Sequence, residues 1–256
     1  LPKDLSRRTL EGSQQQRGSR RNHLKLLALL AVGGSLGLAA REPLGLPELL
    51  ADNSTAVGER RQVQGRDGSR IQLNTASAID LDYSVEQRQL ALLRGEVSLE
   101  SNANDHRPFL IETPVGRLVT LDGQLLLREN RQGLLLAVRR GQVTLFPASA
   151  LRRQVQPGET LQVWRDGRVQ AVTLHSDPWG WTEGVLSVQQ MPLGEFVAEL
   201  GRYRPGLLRC APEVASLVVS GTFQLSDTGA ILHLLSRSLP VRVEYHTRYW
   251  VSIAAA

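Results

Sequence analysis

The sequence predicts a mainly β region, built as a meander of β-hairpins, then a small α+β domain, with one N-terminal transmembrane helix in front. An uncharged apolar stretch runs from Leu26 to Ala40. Short apolar runs broken by turn residues follow from about residue 59, and apolar spacings of three and four begin only after residue 177. The predicted organisation is a cytoplasmic tail (1–22), a membrane helix (23–41), a linker (42–58), an all-β domain (59–176) and an α+β domain (177–256).

The N-terminal segment carries the whole charge excess of the chain. Of 30 basic and 25 acidic residues, seven basic and two acidic ones lie at or before Lys25, which leaves 23 of each sign in the remainder. A basic cluster directly before an apolar helix holds an N-terminus in the cytoplasm, so Arg20, Arg21 and Lys25 predict that residues 42 onward lie outside. The positive charge is thus explained by membrane orientation, and no direct binding of nucleic acid is expected. The predicted membrane helix includes Leu26, Leu30, Gly34, Leu38 and Ala40.

Two interpretations of the apolar stretch are open. Its length as a helix, about 22 Å, is short of a hydrocarbon core of about 30 Å, although snorkelling of Lys25 and Arg41 closes part of the gap. The segment Ser19–Lys25 is also close to a twin-arginine export signal, and Gly37–Ala39 offers small residues for cleavage. The sequence favours a retained anchor, which an uncleaved twin-arginine-like signal would also provide.

Turn residues divide the all-β domain into short strands, and helical periodicity is absent from 59 to 174. Asp-Gly pairs favour the positive φ of tight hairpins. The predicted turns are Arg66–Ser69, Asp122–Gly123, Asn130–Gly133 and Asp166–Gly167.

An internal echo spaced by 46 residues accompanies these turns. Leu93–Leu99 reads Leu-Arg-Gly-Glu-Val-Ser-Leu, and Arg139–Leu145 reads Arg-Arg-Gly-Gln-Val-Thr-Leu. A glycine followed by alternating apolar and polar positions predicts a turn leading into a half-buried strand. A duplicated meander and a chance similarity of two hairpins both explain the echo.

The C-terminal domain alternates strands and helices in the order β-α-β, β-α-β. Its predicted strands are Val185–Val188, Leu207–Cys210, Leu217–Leu225 and a final pair within Val241–Ile253; its helices cover 193–200 and 228–238, the second capped by Ser226 and Asp227. Trp179 and Trp181, at the start of this domain, are interpreted as packing between the two domains rather than as an exposed anchor.

No group of side chains has the spacing of a catalytic, cofactor or metal site, so the protein is not expected to be an enzyme. The five histidines are scattered, and the single Cys210 is interpreted as a small, buried strand residue. Gly33–Gly37 spells a nucleophile-elbow pattern but lies in the apolar stretch.

Several motifs resemble, in order, the periplasmic region of FecR-type sigma factor regulators. They are Asp67–Thr75, Gly95–Leu99 and Arg107–Gly116, followed by Trp179–Leu186, Met191–Leu193 and Glu199–Tyr203. The segments Val219–Phe223 and Leu239–Val243 further resemble the secretin and TonB short N-terminal domain.

The resemblance implies a single-pass protein of the bacterial inner membrane that acts in cell-surface signalling. Its periplasmic part would bind the signalling domain of a TonB-dependent outer-membrane receptor, commonly one for an iron siderophore. The cytoplasmic anti-sigma domain that binds an extracytoplasmic-function sigma factor in this family is not in this chain, and residues 1–22 match only its trailing linker. Either that domain lies upstream of Leu1, or the native product has been cut or is atypical.

The resemblance also raises the question of self-cleavage. Many family members carry a Gly-Thr pair, and in some of them the Thr hydroxyl attacks the preceding carbonyl. Gly123 and Gln124 occupy that position here. Gln124 has no hydroxyl, so the cleavage route is expected to be closed.

The expected partner-binding residues lie in the C-terminal domain, where an exposed strand edge could pair with a similar domain. They are Val219, Gly221, Phe223, Tyr249 and Trp250. The alternative function is an exported envelope- or carbohydrate-binding β-protein without a signalling role. This alternative does not explain the order of the motifs.

Overall fold

The computed structural model describes residues 51–256. Strands predominate in this range and two α-helices occur in it, which confirms the prediction of a mainly β protein. Within the same residues, no helix has the length and apolar character needed to cross a membrane. The predicted tail, membrane helix and orientation signal lie outside the described residues.

Twelve strands of the N-terminal part form one sheet. They are β1 (Asn53–Ser54), β2 (Arg61–Gln64), β3 (Arg70–Leu73), β4 (Ala78–Tyr83), β5 (Arg88–Arg94), β6 (Glu96–Glu100), β7 (Phe109–Thr113), β8 (Gly116–Asn130), β9 (Gly133–Pro147), β10 (Arg153–Val155), β11 (Thr160–Trp164) and β12 (Val169–Ala171). Strand β1 lies in the predicted linker and pairs with β4.

The strand order departs from a simple meander. It runs β1-β4-β5-β7-β8-β6-β3-β2, and β9 joins β8 to β10 and β11. Strand β5 pairs in parallel with β7, and β6 pairs with both β3 and β8. The hairpin prediction holds for neighbours such as β2 and β3, but crossovers join the hairpins into one sheet, because the apolar face of a single hairpin needs further strands to cover it.

The predicted turn at Asp122–Gly123 is wrong. Strand β8 continues through both residues, and the pairing with β9 shifts register there. Gly123 lies opposite Gly141, whose φ is +84°, and a Cβ on Gly141 would lie 1.8 Å from the carbonyl oxygen of Asp122. The Asp-Gly pair therefore marks a β-bulge in two long strands rather than the end of one.

The other three predicted turns are confirmed. Residues 65–69 connect β2 to β3, residues 131–132 connect β8 to β9, and residues 165–168 connect β11 to β12. In the 46-residue echo, Gly95 and Gly141 share a φ near +85°, and the following Val97, Leu99, Val143 and Leu145 are all fully buried. The echo thus predicted the local geometry correctly, although Gly95 separates two strands and Gly141 lies inside one.

The C-terminal part contains two helices and five strands, as predicted. They are β13 (Val185–Pro192), α1 (Leu193–Gly201), β14 (Leu207–Cys210), β15 (Val218–Gln224), α2 (Thr228–Ser238), β16 (Val241–Thr247) and β17 (Trp250–Ala255). The Asp227 carboxylate caps α2 by accepting a hydrogen bond from the Ala230 amide at 2.9 Å. Strands β13 and β15 form a two-stranded sheet, and β14, β17 and β16 form a three-stranded sheet in that order.

Two apolar clusters form the interior. One consists of side chains of the twelve-stranded sheet, and the other consists mainly of side chains of the C-terminal part. In the second cluster the rings of Phe196 and Phe223 pack edge to face, with their centres 4.9 Å apart. Leu126 of β8 and Ala137 of β9 belong to the second cluster. The C-terminal part therefore packs on the outer face of β8 and β9, which places these two strands between both cores.

Candidate functional site

A polar junction joins the C-terminal part to the twelve-stranded sheet. The guanidinium of Arg202, directly after α1, lies 2.6 Å from Oε2 of Glu96 at the start of β6. Its other arm lies 2.6 Å from Oε1 of Glu199. Arg128 of β8 lies 2.8 Å from Oε2 of the same Glu199, so two acids and two bases alternate across the boundary.

Asn74 forms the neutral centre of the junction. Its side-chain amide, which is fully buried, donates at 2.8 Å to Glu96 and at 2.8 Å to the hydroxyl of Tyr203. The hydroxyl of Thr75 donates to the main-chain oxygen of Arg202 at 2.9 Å. Polar groups in this boundary are thus hydrogen-bonded across it, which fixes the orientation of α1 on the sheet.

The charges of the junction shift the protonation equilibria of its members. Burial raises the pKa of Glu199, but the guanidinium groups of Arg202 and Arg128 outweigh it and hold this pKa below the ordinary value. Burial lowers the pKa of Arg202, and the Glu96 and Glu199 carboxylates more than reverse that effect. Burial and the Glu96 carboxylate raise the pKa of Tyr203. Glu199 and Arg202 are therefore both charged at neutral pH, whereas the Tyr203 hydroxyl keeps its proton.

Two tryptophans complete the junction, as predicted. Trp179 and Trp181 are both more than nine-tenths buried. The guanidinium carbon of Arg139 lies 4.3 Å from the centre of the Trp179 ring, and Arg60 donates to the main-chain oxygen of Trp181 at 2.9 Å. The interpretation of these residues as packing between the two parts is confirmed.

Strand β15 offers an exposed edge. Ser187 and Gln189 of β13 bond to residues 177 and 175, so the intervening Val188 faces β15, opposite Gly221. The main-chain groups of Ser220 and Thr222 consequently point away from β13. Beside this edge, a groove of about 260 Å³ runs between β15 and α2, lined by apolar residues that include Val218, Phe223, Leu234 and Leu239.

The five predicted partner-binding residues fall into two groups. Val219 and Phe223 of β15 are buried, and Gly221 lies between them at a φ of +149°. Tyr249 and Trp250 are about half exposed, but Trp250 belongs to the other sheet and Tyr249 lies in the turn directly before it. The first group contributes to the groove beside β15, and the second group forms part of a separate surface.

The position equivalent to the family cleavage site lies inside a strand. The Ser101 amide donates to the main-chain oxygen of Gly123, and the Gly123 amide donates to the Ser101 hydroxyl. Gln124 pairs with Arg140 and Glu100. The nearby hydroxyl of Thr120 donates to the main-chain oxygen of Gln142 at 2.9 Å. The prediction of an uncut chain is consistent with this arrangement and stays a prediction.

Among the residues that the structure describes, no cluster of His, Cys, Asp and Glu has the arrangement of a metal site. Cys210 is partly buried against the C-terminal core, and burial raises the pKa of its thiol. A raised pKa leaves less thiolate at neutral pH, which agrees with a packing role.

Sequence reasoning singled out the motifs of the junction without placing them together. Asn74 and Thr75 come from the first motif, Glu96 from the second, and Glu199, Arg202 and Tyr203 from the last. A signal was available in the continuous apolar runs Leu125–Leu127 and Leu134–Val138, which are typical of strands buried on both faces. Those runs indicate that something covers the outer face of β8 and β9.

The fold and the junction define a β-sheet protein with an α+β module fixed to it by buried charges. Residues 51–144 match the model of the FecR protein family. This is the family that the sequence motifs resemble.

Two crystal structures of a candidate anti-sigma factor from Parabacteroides distasonis share the fold. Each is 18% identical in sequence and covers 80% of this chain and 98% of its own, with TM-scores of 0.65 and 0.64. At this identity the likeness concerns the fold alone. No curated protein matches the chain in sequence.

Proposed function

We propose that the protein is an inner-membrane signalling regulator of an extracytoplasmic-function sigma factor. Its N-terminus lies in the cytoplasm, and residues 42–256 lie in the periplasm. They bind the signalling domain of a TonB-dependent outer-membrane receptor, of the kind that imports iron siderophores. The match of residues 51–144 to the FecR family model supports the regulatory role. Contact with the sigma factor requires a cytoplasmic domain upstream of Leu1.

The exposed edge of β15 carries the proposal for partner binding. A domain with an edge strand of its own would extend the β13–β15 sheet by pairing with the outward main-chain groups of Ser220 and Thr222. Its apolar side chains would enter the groove between Val218 and Leu234, which are 53% and 49% exposed. Such pairing depends on main-chain groups, so it tolerates variation in the side chains of the partner.

The junction supports a route for the signal. Strand β15 shares the C-terminal core with α1 through the contact of Phe223 with Phe196. Helix α1 in turn carries Glu199 and leads into Arg202, which binds Glu96 of the twelve-stranded sheet. A partner bound to β15 would thereby strain the ion pairs between the C-terminal part and the twelve-stranded sheet. The sheet would transmit this strain to the residues that precede it in the chain.

An affinity capture experiment tests this function. The full chain, captured from cells grown under receptor-inducing conditions, should retain a TonB-dependent receptor identified by mass spectrometry. Val218→Asp combined with Leu234→Asp should abolish the recovery, because two carboxylates would be placed in the apolar groove. Val85→Asp, at a 91% exposed turn residue, is the matched control.

Recovery of a receptor with both the groove variant and the control would reject the β15 edge as the docking site. Recovery of glycans or peptidoglycan-bound proteins without any receptor would favour an envelope-binding protein and reject the signalling role.

A further inference from the structure

A groove of about 310 Å³ opens at the start of α2, on the side of the three-stranded sheet that faces this helix. Val241 and Val243 of β16 pack toward the C-terminal core, so Tyr245 lies on the same side of the strand. The first turn of α2 contributes Thr228 and Gly229. We call this site the tyrosine groove, and it is also lined by Arg204, Arg248 and Tyr249.

The polar side chains of the tyrosine groove can all donate hydrogen bonds, and none of them is a carboxylate. They are the guanidinium groups of Arg204 and Arg248 and the hydroxyl groups of Thr228, Tyr245 and Tyr249. The hydroxyl oxygen of Tyr249 accepts a hydrogen bond from the guanidinium of Arg248, so its own proton is available to a ligand. A ligand that accepts several hydrogen bonds therefore fits the groove.

The two arginines of the groove have no acidic partner. Within residues 51–256, no carboxylate lies at ion-pair distance from Arg204 or Arg248. A guanidinium nitrogen of Arg204 lies 3.5 Å from the main-chain oxygen of Arg248, which places the two residues side by side. Because neighbouring charges of one sign repel each other, an anion bound by both arginines would relieve the repulsion.

The acids on the neighbouring elements interact elsewhere. Asp227 caps α2 by accepting a hydrogen bond from the Ala230 amide, and it does not line the groove. Glu244 alternates with Tyr245 along β16, so it lies on the opposite side of the strand, where it pairs with Arg242 at 2.6 Å. The walls of the groove therefore leave the charges of both arginines uncompensated.

Two tyrosine rings add apolar surface to the groove. Tyr245 and Tyr249 are 60% and 48% exposed. The guanidinium carbon of Arg248 lies 4.4 Å from the centre of the Tyr249 ring, which holds the charged group over an aromatic face. Exposed tyrosine beside arginine is typical of binding surfaces. The groove thus offers hydrogen bonds to an anionic group and packing to a planar ring.

We propose that the tyrosine groove binds a small ligand that carries a carboxylate or a phosphate on a planar ring. The anionic group would bind to Arg204 and Arg248, because a guanidinium matches the geometry of both oxyanions. The ring would pack against Tyr245. The volume of about 310 Å³ is at the small end of ligand pockets, which suits one ring with one charged group. The site shares no lining residue with the groove beside β15 and goes beyond the proposed function.

Calorimetric titration of the full chain with five small probes tests the proposal. Phenyl phosphate and benzoate carry the two anionic groups on the same ring, and benzamide is the uncharged counterpart of benzoate. Inorganic phosphate and acetate lack the ring. At least one of the two aromatic anions should bind about tenfold or more tightly than benzamide, because charge-assisted hydrogen bonds are the stronger ones. The tighter of the two identifies the anionic group, and it should also bind more tightly than its counterpart without the ring.

Substitutions that remove one positive charge assign the binding to the groove. Arg204→Gln and Arg248→Gln should each weaken binding of the preferred aromatic anion by about tenfold or more. Arg209→Gln is the matched control, because Leu208 and Cys210 pack toward the core and Arg209 therefore lies on the other side of β14. This control should leave binding unchanged. Circular dichroism melting of the three variants verifies that the fold is retained.

Three results would overturn the proposal. One is equal binding of benzamide and the two aromatic anions. Another is a loss of binding in Arg204→Gln and Arg248→Gln that is no larger than in Arg209→Gln, which would indicate a general effect of charge. The third is equal binding of the aromatic anion and its counterpart without the ring, which would mean an adventitious ion only.

Discussion

Arg202 and Glu96 form an ion pair of 2.6 Å between residues that are 106 positions apart in the chain. The side chain of Glu96 is 4% exposed and that of Arg202 is 21% exposed. A buried pair of this kind adds little net stability relative to apolar residues, but removal of one member leaves an uncompensated charge. The pair therefore makes the position of the C-terminal module depend on both residues at once.

Replacement of Arg202 should strongly destabilise the protein. Arg202→Met leaves the Glu96 carboxylate buried with Asn74 as its remaining donor, and we expect a loss of about 3–5 kcal/mol in the free energy of unfolding. Urea unfolding followed by far-ultraviolet circular dichroism measures it. The double variant Glu96→Gln with Arg202→Met should recover part of the loss, since the unpaired charge is removed. Equal losses in the single and double variants would show that the pair itself is not responsible.

Glu199 should make stability depend on pH in the acid range. The pKa of Glu199 is lower in the folded state than its ordinary value of 4.5, so the unfolded state binds its proton more readily. The resulting stabilisation is present above about pH 4.5 and is lost as the pH falls through the lower folded value. The difference in unfolding free energy between the native chain and Glu199→Gln should therefore shrink from pH 7 to pH 3. A difference that is constant over this range would contradict the expectation.

The bulge in β8 and β9 should be sensitive to a single methyl group. Gly141 and Gly158 have nearly the same φ, +84° and +89°, so alanine suffers similar left-handed strain of about 1–2 kcal/mol at either position. A Cβ at Gly141 would collide with the Asp122 carbonyl, whereas nothing lies within 4 Å of a Cβ at Gly158. Gly141→Ala should destabilise the protein by about 2 kcal/mol more than Gly158→Ala in the same urea assay. Equal values would mean that the strands separate at the bulge without cost.

The chain should be uncut between Gly123 and Gln124. The residue after Gly123 lacks a hydroxyl, and strand pairs on both sides hold the peptide bond in β8. Intact mass spectrometry of the purified chain should give a single species that spans this bond. A stable fragment that begins at Gln124 would show that another group performs the cleavage.

Local signals predicted most of the elements. The spacing of Leu193, Phe196, Val197 and Leu200 identified α1, and Asp227 identified the start of α2, because caps and amphipathic faces are properties of adjacent residues. The pair Asp122–Gly123 led to the wrong prediction of a hairpin turn, because an Asp-Gly pair is compatible with a β-bulge as well as with a turn. Its true setting depends on Gly141, which lies outside any local window.

The candidate site was predictable only in part. The exposed edge in the C-terminal part follows from a β-α-β order with few strands, whereas the burial of Val219 and Phe223 required the register of β15 against the helices. The junction could not be predicted from the sequence, because polar and charged residues such as Asn74, Glu96 and Arg202 are usually exposed. Their burial arises when three distant segments meet, a long-range event with no periodic signature.

The placement of Trp179 and Trp181 gives the protein an intrinsic optical reporter. Half of its four tryptophans lie at one boundary, and the indole nitrogen of Trp181 is buried without a hydrogen-bond acceptor in the described part of the chain. Separation of the module from the sheet would bring water to that nitrogen and shift the emission to longer wavelength. The state of the junction can therefore be followed in solution by fluorescence, without an added label, while a partner is titrated.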